Sequence, residues 1–176
     1  PVITLKGEAV VTHEAGGSYT DAGASATDVV DGVVSIQTSG HVNQNKPGSY
    51  MMSYGVSDGA GNNAKAIVRK VEVVDTTGPV ITLKGEAVVT HEAGSVYQDA
   101  GASAEDVVDG DLSGLVEVEG AVDTGKPGVY GLSYGVKDTQ GNVGTEVVRK
   151  VNVVDTTGPV ITLKGEAVVT HEAGGS

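Results

Sequence analysis

Apolar and polar residues alternate most clearly in two equivalent stretches of the chain, near residues 50 and 130. A period of two with one apolar face is typical of a half-buried strand in an antiparallel sheet. The apolar positions are Tyr50, Met52, Tyr54 and Val56 in the first stretch and Tyr130, Leu132, Tyr134 and Val136 in the second. We predict that these side chains face the core of a β-sandwich.

Shorter apolar runs, separated by Gly, Pro, Asn and Asp, surround these two stretches, and no helical period is convincing. Val2–Leu5 and Ala9–Thr12 are interpreted as one edge strand broken at a glycine. Further strands are predicted at Ala24–Thr27, Val33–Thr38, His41–Asn43 and Lys65–Val74, the last matched by Glu146–Val154. The turns at Asp58–Asn62 and Asp138–Asn142 each join two strands into a hairpin. About seven short strands per unit predict an all-β sandwich fold.

One residue of the closing strand disturbs the pattern. Arg69 has the same parity as Val71 and Val73, which the alternation places on the apolar face. Either a bulge intervenes, or the arginine extends its charged end to water at the rim of the sheet.

The chain repeats itself at a fixed period. The letters PVITLKGEAVVTHEAG occupy Pro1–Gly16, Pro79–Gly94 and Pro159–Gly174. Self-similarity of this kind defines the structural unit, and about eighty residues suffice for a small domain with its own core. The predicted organisation is a first repeat at 1–78, a second at 79–158 and the first strands of a third at 159–176, as expected for a segment of a longer array.

Composition excludes several classes of function. The formal net charge of −12 argues against a nucleic-acid partner, which needs clustered cations. The chain has no Cys, and no apolar run is long enough for a membrane-inserted segment. It shows no Ser/His/Asp arrangement, phosphate loop or convincing pair of catalytic carboxylates, so we expect that it is not an enzyme.

A set of ordered motifs resembles the tandem Ig-like repeats of bacterial surface proteins, and within these the bacterial surface Ig-like domain related to hyalin-type repeats. The motifs are Asp-Thr-Thr-Gly-Pro-Val-Ile-Thr-Leu, Tyr-x-Asp-Ala-Gly-Ala, Asp-x-x-Asp-Gly, Lys-Pro-Gly-x-Tyr, Tyr-Gly-Val-x-Asp-x-x-Gly-Asn and Val-Arg-Lys-Val. The resemblance implies tandem immunoglobulin-like antiparallel β-sandwiches of about seven strands each. It also implies an extracellular or bacterial cell-surface location.

An acidic cluster is the candidate site that this fold implies. In an Ig-like sandwich the incoming linker, the loop of the Asp-x-x-Asp-Gly motif and the final hairpin turn share one pole. The candidate ligands are Asp75, Asp106, Asp109, Asp111, Asp138 and Asn142 for the second repeat and Asp28, Asp31, Asp58 and Asn62 for the first. Ca²⁺ is the cofactor to expect here, because it prefers carboxylate and carbonyl oxygens on loops. The alternative is that each Asp closes its own Asx turn, without any metal.

Two functions fit these observations. The resemblance and the near-identity of the repeats favour structural spacers in the stalk of a bacterial adhesin or in an extracellular fibre. The alternative is a module that binds a glycan or protein ligand, which predicts exposed aromatic residues on one face. Composition offers few of these, since all six aromatic residues are Tyr.

Neighbouring repeats of the same array are the partners to expect. The linker from Val74 to Pro79 is short and ends in proline, which predicts a semi-rigid rod. Residues 159–176 cannot fold alone as two short strands. We expect them to pair with a neighbouring chain of the same type in a filament, by strand exchange or as part of a continuous fibre.

Overall fold

The fold contains four β-sheets, two in each repeat, in a computed structural model that describes residues 1–174. The fold is all-β, as predicted, apart from one short 3₁₀ turn at Ser113–Leu115. The strands of the first repeat are β1 (Val2–Leu5), β2 (Val10–Glu14), β3 (Ala24–Asp28), β4 (Gly32–Val34), β5 (Gln37–Ser39), β6 (Gly48–Gly55) and β7 (Ile67–Val74). Those of the second are β8 (Val80–Leu83), β9 (Val88–Glu92), β10 (Ala102–Asp106), β11 (Gly110–Asp111), β12 (Glu117–Glu119), β13 (Gly128–Gly135) and β14 (Val147–Val154).

Each repeat pairs a three-stranded sheet with a four-stranded one. The sheet orders are β1-β3-β4 and β2-β7-β6-β5 in the first repeat, and β8-β10-β11 and β9-β14-β13-β12 in the second. In the second repeat Ile81, Ala102 and Ala104 of the smaller sheet form one buried cluster with Leu132 and Tyr134 of the larger sheet. This is the arrangement of an Ig-like sandwich, in which two sheets enclose a single core.

The first two strands differ from the prediction of one broken edge strand. β1 pairs with β3 in the smaller sheet, whereas β2 pairs with β7 in the larger sheet, and this second pairing is parallel. The chain changes sheet at Gly7, whose φ of +76° is readily adopted only by glycine. The sandwich is therefore mixed: in each repeat one parallel pair joins an otherwise antiparallel set.

Two further strand predictions are wrong in extent. The predicted strand at 33–38 is divided between β4 and β5, and His41–Asn43 forms no strand. Gly40 follows β5 with a φ of +109°, which ends the extended conformation there.

The predicted core face of the long strands is confirmed. Tyr54 and Val56 are 0% and 5% exposed, and Tyr134 and Val136 are 0% and 6% exposed. The residues nearer the start of each strand are less deeply buried: Tyr50, Met52 and Tyr130 are half-buried, whereas Leu132 is buried.

Arg69 is neither at a bulge nor at a rim. It pairs with Met52 in a regular antiparallel register and is 1% exposed, as is its equivalent Arg149. Its guanidinium bonds to Asp21, to the hydroxyl of Tyr54 and to three main-chain carbonyl groups. The parity of Arg69 was thus a true indication that the side chain points into the core, where an acid from a distant loop neutralises it.

The partial third repeat differs from its two copies. Residues 159–174 form no strand, and apolar side chains that are the equivalents of strand residues, such as Ile161 and Val169, are 91% and 79% exposed. The last two positions of the predicted segment 159–176 lie outside the described residues. The expected pairing of this segment with a neighbouring chain of the same type stays a prediction.

Candidate functional site at the junction of the two repeats

A glutamate at the end of β2 holds the linker between the repeats. The Glu14 carboxylate accepts hydrogen bonds from the Thr76 amide (2.8 Å), the Thr76 hydroxyl (2.9 Å) and the Thr77 hydroxyl (2.9 Å). These bonds, led by that of the Thr76 amide, lower the pKa of Glu14 although burial opposes them. Glu92 binds Thr156 and Thr157 of the next linker in the same way. The linker is therefore bound to the repeat that precedes it.

The main chain of the linker is also in close contact with the second repeat. Pro79 is among the most deeply buried residues of the chain. A Cβ atom on Gly78 would lie 2.3 Å from the carbonyl oxygen of Val143, so only glycine fits there without a shift. The equivalent glycine of the next linker, Gly158, has open space around it.

Two valines of the second repeat contact the first repeat directly. They lie in the loop between β10 and β11. Val108 packs against the buried cluster of Ala15, Val71 and Val73, and a Cγ atom of Val107 lies 2.1 Å from where a Cβ on Gly16 would be. This contact extends the core of the first repeat across the junction.

Three of the predicted metal ligands meet beside this contact. One carboxylate oxygen from each of Asp75, Asp106 and Asp138 lies within 4.8 Å of the other two. Asn142 joins the group: its side-chain amide donates to the Asp75 carbonyl oxygen (3.1 Å) and to the Asp138 carboxylate (2.7 Å). Linker, loop and hairpin turn thus converge at one pole, as the fold implied.

Asp75 is electrostatically the least satisfied member of this trio. Its Oδ2 atom is buried and has no hydrogen-bond partner. Burial raises the pKa of Asp75, and the negative charges of Asp106 and Asp138 raise it further. Burial would also raise the pKa of Asp138, but hydrogen bonds from the side chain and main chain of Asn142 hold it below its ordinary value.

The other two predicted ligands of the second repeat bind elsewhere. Asp109 accepts hydrogen bonds from the amide and hydroxyl of Thr139, which ties the loop to the hairpin turn. Asp111 accepts from the Ser113 amide (2.9 Å). Neither belongs to the group of three carboxylates.

The predicted site of the first repeat is built alike. Asp28, Asp31 and Asp58 bring one carboxylate oxygen each within 4.8 Å of one another, and Asn62 bonds to Asp58 through its main-chain and side-chain amides. The amino group of Pro1 pairs with Asp28 at 3.0 Å. Hydrogen bonds from the Val30 amide and from this amino group lower the pKa of Asp28 to about 2.

The Asx turns of the metal-free interpretation are present as well. Asp106 accepts from the amides of Val108 (2.8 Å) and Asp109 (3.0 Å), and Asp28 does the same for its own loop. Local turns therefore use part of the oxygen surface at both poles, and they leave the buried Oδ2 of Asp75 unexplained.

Sequence reasoning missed Glu14, Gly78 and the Val107–Val108 pair. Glu14 is 62 and 63 residues from the two threonines that it binds, so no local pattern indicates the contact. The one available signal is that Glu14 and Glu92 recur at the same repeat position, each before an Asp-Thr-Thr-Gly linker.

A family of known proteins matches both repeats. The family described as "Bacterial surface protein, Ig-like domain" matches residues 3–73 and 81–153, which is most of the chain. The chain belongs to this bacterial surface Ig-like family. The matches cover one repeat each, and the resemblance of the ordered motifs is thereby confirmed.

Individual relatives of this bacterial surface Ig-like chain are distant. It is 29% identical over 130 residues to the pesticidal crystal protein Cry22Aa of Bacillus thuringiensis, and it spans only 18% of that protein. Among solved structures, the lipoprotein BT2262 of Bacteroides thetaiotaomicron is 27% identical, with a TM-score of 0.41 over 46% of this chain and 40% of that one. The M60 catalytic domain with CBM51-1 and CBM51-2 of Clostridium perfringens ZmpB is 12% identical, with a TM-score of 0.49 over 89% of this chain and 31% of that one. At these TM-scores the structures do not indicate a role.

None of the helical structure within residues 1–174 is long and apolar enough to cross a membrane.

Proposed function

We propose that this chain is a stiff spacer: a run of Ig-like repeats in the stalk or fibre of a bacterial surface or extracellular protein, without enzymatic activity. The observation that carries the proposal is the bound linker. Glu14 holds it on one side, and the burial of Pro79 and the close approach of Gly78 to Val143 hold it on the other. Two repeats joined in this way resist bending, which is what a spacer requires.

The tyrosines support this function over glycan or protein binding. A surface that binds sugars by stacking needs exposed aromatic rings. Across residues 1–174 all six tyrosines are buried or half-buried, and Tyr54 and Tyr134 are committed to the arginine networks of the core. The aromatic residues of this chain thus act in packing.

The stiffness of the junction can be measured by the distance between two spin labels. The chain has no Cys, so labels placed by Met51→Cys and Val129→Cys, both exposed, report one distance across the junction. We expect one narrow distribution. Glu14→Ala should widen this distribution, because the linker loses the three hydrogen bonds that Glu14 accepts from it.

Glu92→Ala is the matched control for this experiment. It removes the same bonds from the linker at Thr156 and Thr157, which lies after the second repeat, so the distribution should keep its width. A broad distribution in the unsubstituted chain would show that the junction bends freely and that the stiff-spacer function is wrong.

A Ca²⁺ ion at the junction is part of the proposal. Ca²⁺ binds about six to eight oxygens, with carboxylates as its strongest protein ligands. Asp75, Asp106 and Asp138 converge from the linker and from two loops of the second repeat, and the unpartnered Oδ2 of Asp75 lies among them. An ion there would compensate the burial and the repulsion that together raise the pKa of Asp75, and it would lock the linker to the second repeat.

We expect Ca²⁺ to raise the thermal midpoint of the chain and a chelator to reverse this. At a hundredfold excess over Kd, binding stabilises the folded state by about 2.7 kcal/mol. Asp75→Asn should remove most of the response, whereas Asp155→Asn should keep it, because Asp155 is the equivalent linker residue and is exposed. Titration calorimetry without any heat of binding, or equal loss in both variants, would remove the ion from the proposal.

In the presence of a chelator, the stability of the chain should also depend on pH through Asp75. Because its folded pKa is raised, the Asp75 carboxyl binds a proton more tightly in the folded state than in the unfolded state. When a chelator removes Ca²⁺, the negative charge of Asp75 therefore opposes folding at pH values above the raised pKa. This loss of stability is relieved as the pH falls through that pKa, because the carboxyl becomes neutral. Asp75→Asn should remove this pH dependence and be at least as stable as the unsubstituted chain at neutral pH.

A further inference from the structure

The contact between the two repeats has a loop on one side and a small-residue pole on the other. Val107 and Val108 contribute the loop, and Ala15 and Gly16 contribute the pole. On this contact Ala15 is only 8% exposed and Val108 is half-buried, whereas Val107 keeps 67% exposure. We call these two surfaces the valine loop and the Ala-Gly pole.

The first repeat carries the same valine loop without a partner. Its letters Asp28-Val29-Val30-Asp31-Gly32 are those of Asp106–Gly110. Val29 is 102% exposed and Val30 is 89% exposed, although they stand at the end of a strand beside an acidic cluster. Exposing two adjacent valine side chains to water to this degree forgoes the free energy that their burial would contribute.

The unpartnered loop already has the conformation of the docked one. Asp28 accepts from the amides of Val30 and Asp31 at 2.8 and 3.2 Å, and Asp106 makes the matching bonds at 2.8 and 3.0 Å. The closing glycines have φ angles of 72° and 74°. Asp31 ties its loop to the hairpin turn through the Gly59 amide, as Asp109 does through that of Thr139. Docking would therefore need little rearrangement of the loop.

The second repeat carries the matching Ala-Gly pole, also open. The Ala93 amide donates to the Val154 carbonyl as that of Ala15 donates to Val74, and the Gly94 amide donates to Thr124 as that of Gly16 donates to Gln44. Ala93 is half-buried where Ala15 is buried, and Gly94 is exposed, as Gly16 is. The two free surfaces are thus the two halves of one contact that the chain itself already makes.

We propose that the valine loop at Val29–Val30 is a docking surface for the Ala-Gly pole of another repeat of this type. The occupant follows from the Val107–Val108 contact, where a loop of the same sequence and conformation meets such a pole. The apolar area is small, so the contact needs an Asp-Thr-Thr-Gly linker to supply a high effective concentration. This inference rests on the proposed spacer function and adds the surface through which successive repeats would stack.

The test extends the full chain by one repeat. A second copy of residues 79–158 is placed before Pro1, so that the native letters Asp-Thr-Thr-Gly-Pro form the new linker. Spin labels at the added copy's Val129 and at Met51 report the new junction, and labels at Met51 and Val129 of the original chain report the existing one. We expect two equally narrow distance distributions.

Val30→Ser should widen only the distribution of the new junction. Serine removes the apolar contact without adding charge to the acidic pole. Val33→Ser is the control, because Val33 is 87% exposed on β4, outside the loop. In the unextended chain, Val30→Ser should leave the thermal midpoint unchanged, which separates docking from folding.

The outcomes distinguish this inference from the proposed function. A narrow distance distribution at the existing junction with a broad one at the new junction overturns the docking surface alone. The same holds if Val30→Ser and Val33→Ser widen the distribution of the new junction equally. A broad existing junction overturns the spacer function, and the docking surface with it.

Discussion

Arg149→Met should lower the free energy of unfolding of the second repeat by about 3–5 kcal/mol, because it leaves a buried partner charge without compensation. Arg149 is 1% exposed and donates to Asp99, to the Tyr134 hydroxyl at 2.9 Å and to three carbonyl groups. Methionine fills a similar volume but satisfies none of these acceptors. Urea unfolding of the variant and of the unsubstituted chain measures the difference.

Two further substitutions show what the arginine contributes. Arg149→Lys keeps a positive charge but loses the planar guanidinium that reaches several acceptors at once. Its free energy of unfolding should therefore lie between those of Arg149→Met and of the unsubstituted chain. Lys150→Met, at an exposed neighbouring position, should change stability by only about 0.5 kcal/mol or less. A loss for Arg149→Met as small as that for Lys150→Met would contradict the structural role given to the network.

The penalty of Arg149→Met should also depend on pH. Burial would raise the pKa of Asp99, but hydrogen bonds from Tyr134 and Arg149 hold it below its ordinary value. In the unsubstituted chain this carboxylate therefore adds stability above its unfolded pKa, and this stability is lost as the pH falls through the lowered folded pKa. Without Arg149 that contribution shrinks, so the two chains should differ less in acid than at neutral pH.

Gly120→Ala should lower the free energy of unfolding of the second repeat by about 2–5 kcal/mol, from backbone strain and overpacking together. Gly120 follows β12 with a φ of +100°, and a Cβ there would lie 2.3 Å from the carbonyl oxygen of Gly131 on β13. Main-chain atoms cannot move aside as a flexible side chain can. The second repeat should then unfold at lower urea concentration.

Gly110→Ala separates the two causes. Gly110 has a φ of +74°, but a Cβ would meet nothing within 4 Å. It should therefore cost only the strain of the left-handed conformation, about 1–2 kcal/mol. Equal losses for the two variants would mean that the close approach to Gly131 contributes nothing.

The strand order near the start of each repeat could not be predicted from local pattern. Two apolar runs separated by Lys6-Gly7 fit one kinked strand as well as two strands in different sheets. The distinction depends on β3 and β7, which bind β1 and β2 from positions up to about sixty residues away. Pairing over such distances is decided by the whole sandwich.

The candidate site was predicted in part for a similar reason. Placing linker, loop and hairpin at one pole brought together Asp75, Asp106 and Asp138 correctly. That reasoning could not exclude Asp109 and Asp111, because each binds a neighbouring amide instead and only the folded loop determines which. Glu14 and the valine loop escaped because their partners belong to a linker or to the other repeat.

The sequence by itself determined the repeat, the all-β class and the buried face that includes Tyr54 and Tyr134, because these follow from periodicity along the chain. Only the tertiary structure decided the place of Arg69. Its parity with Val71 pointed inward, but a charge is stable there only with a partner, and Asp21 reaches it from a loop 48 residues away. Period-two alternation describes one strand, whereas neutralising a buried charge and joining two repeats both require residues that approach each other only when the chain is folded.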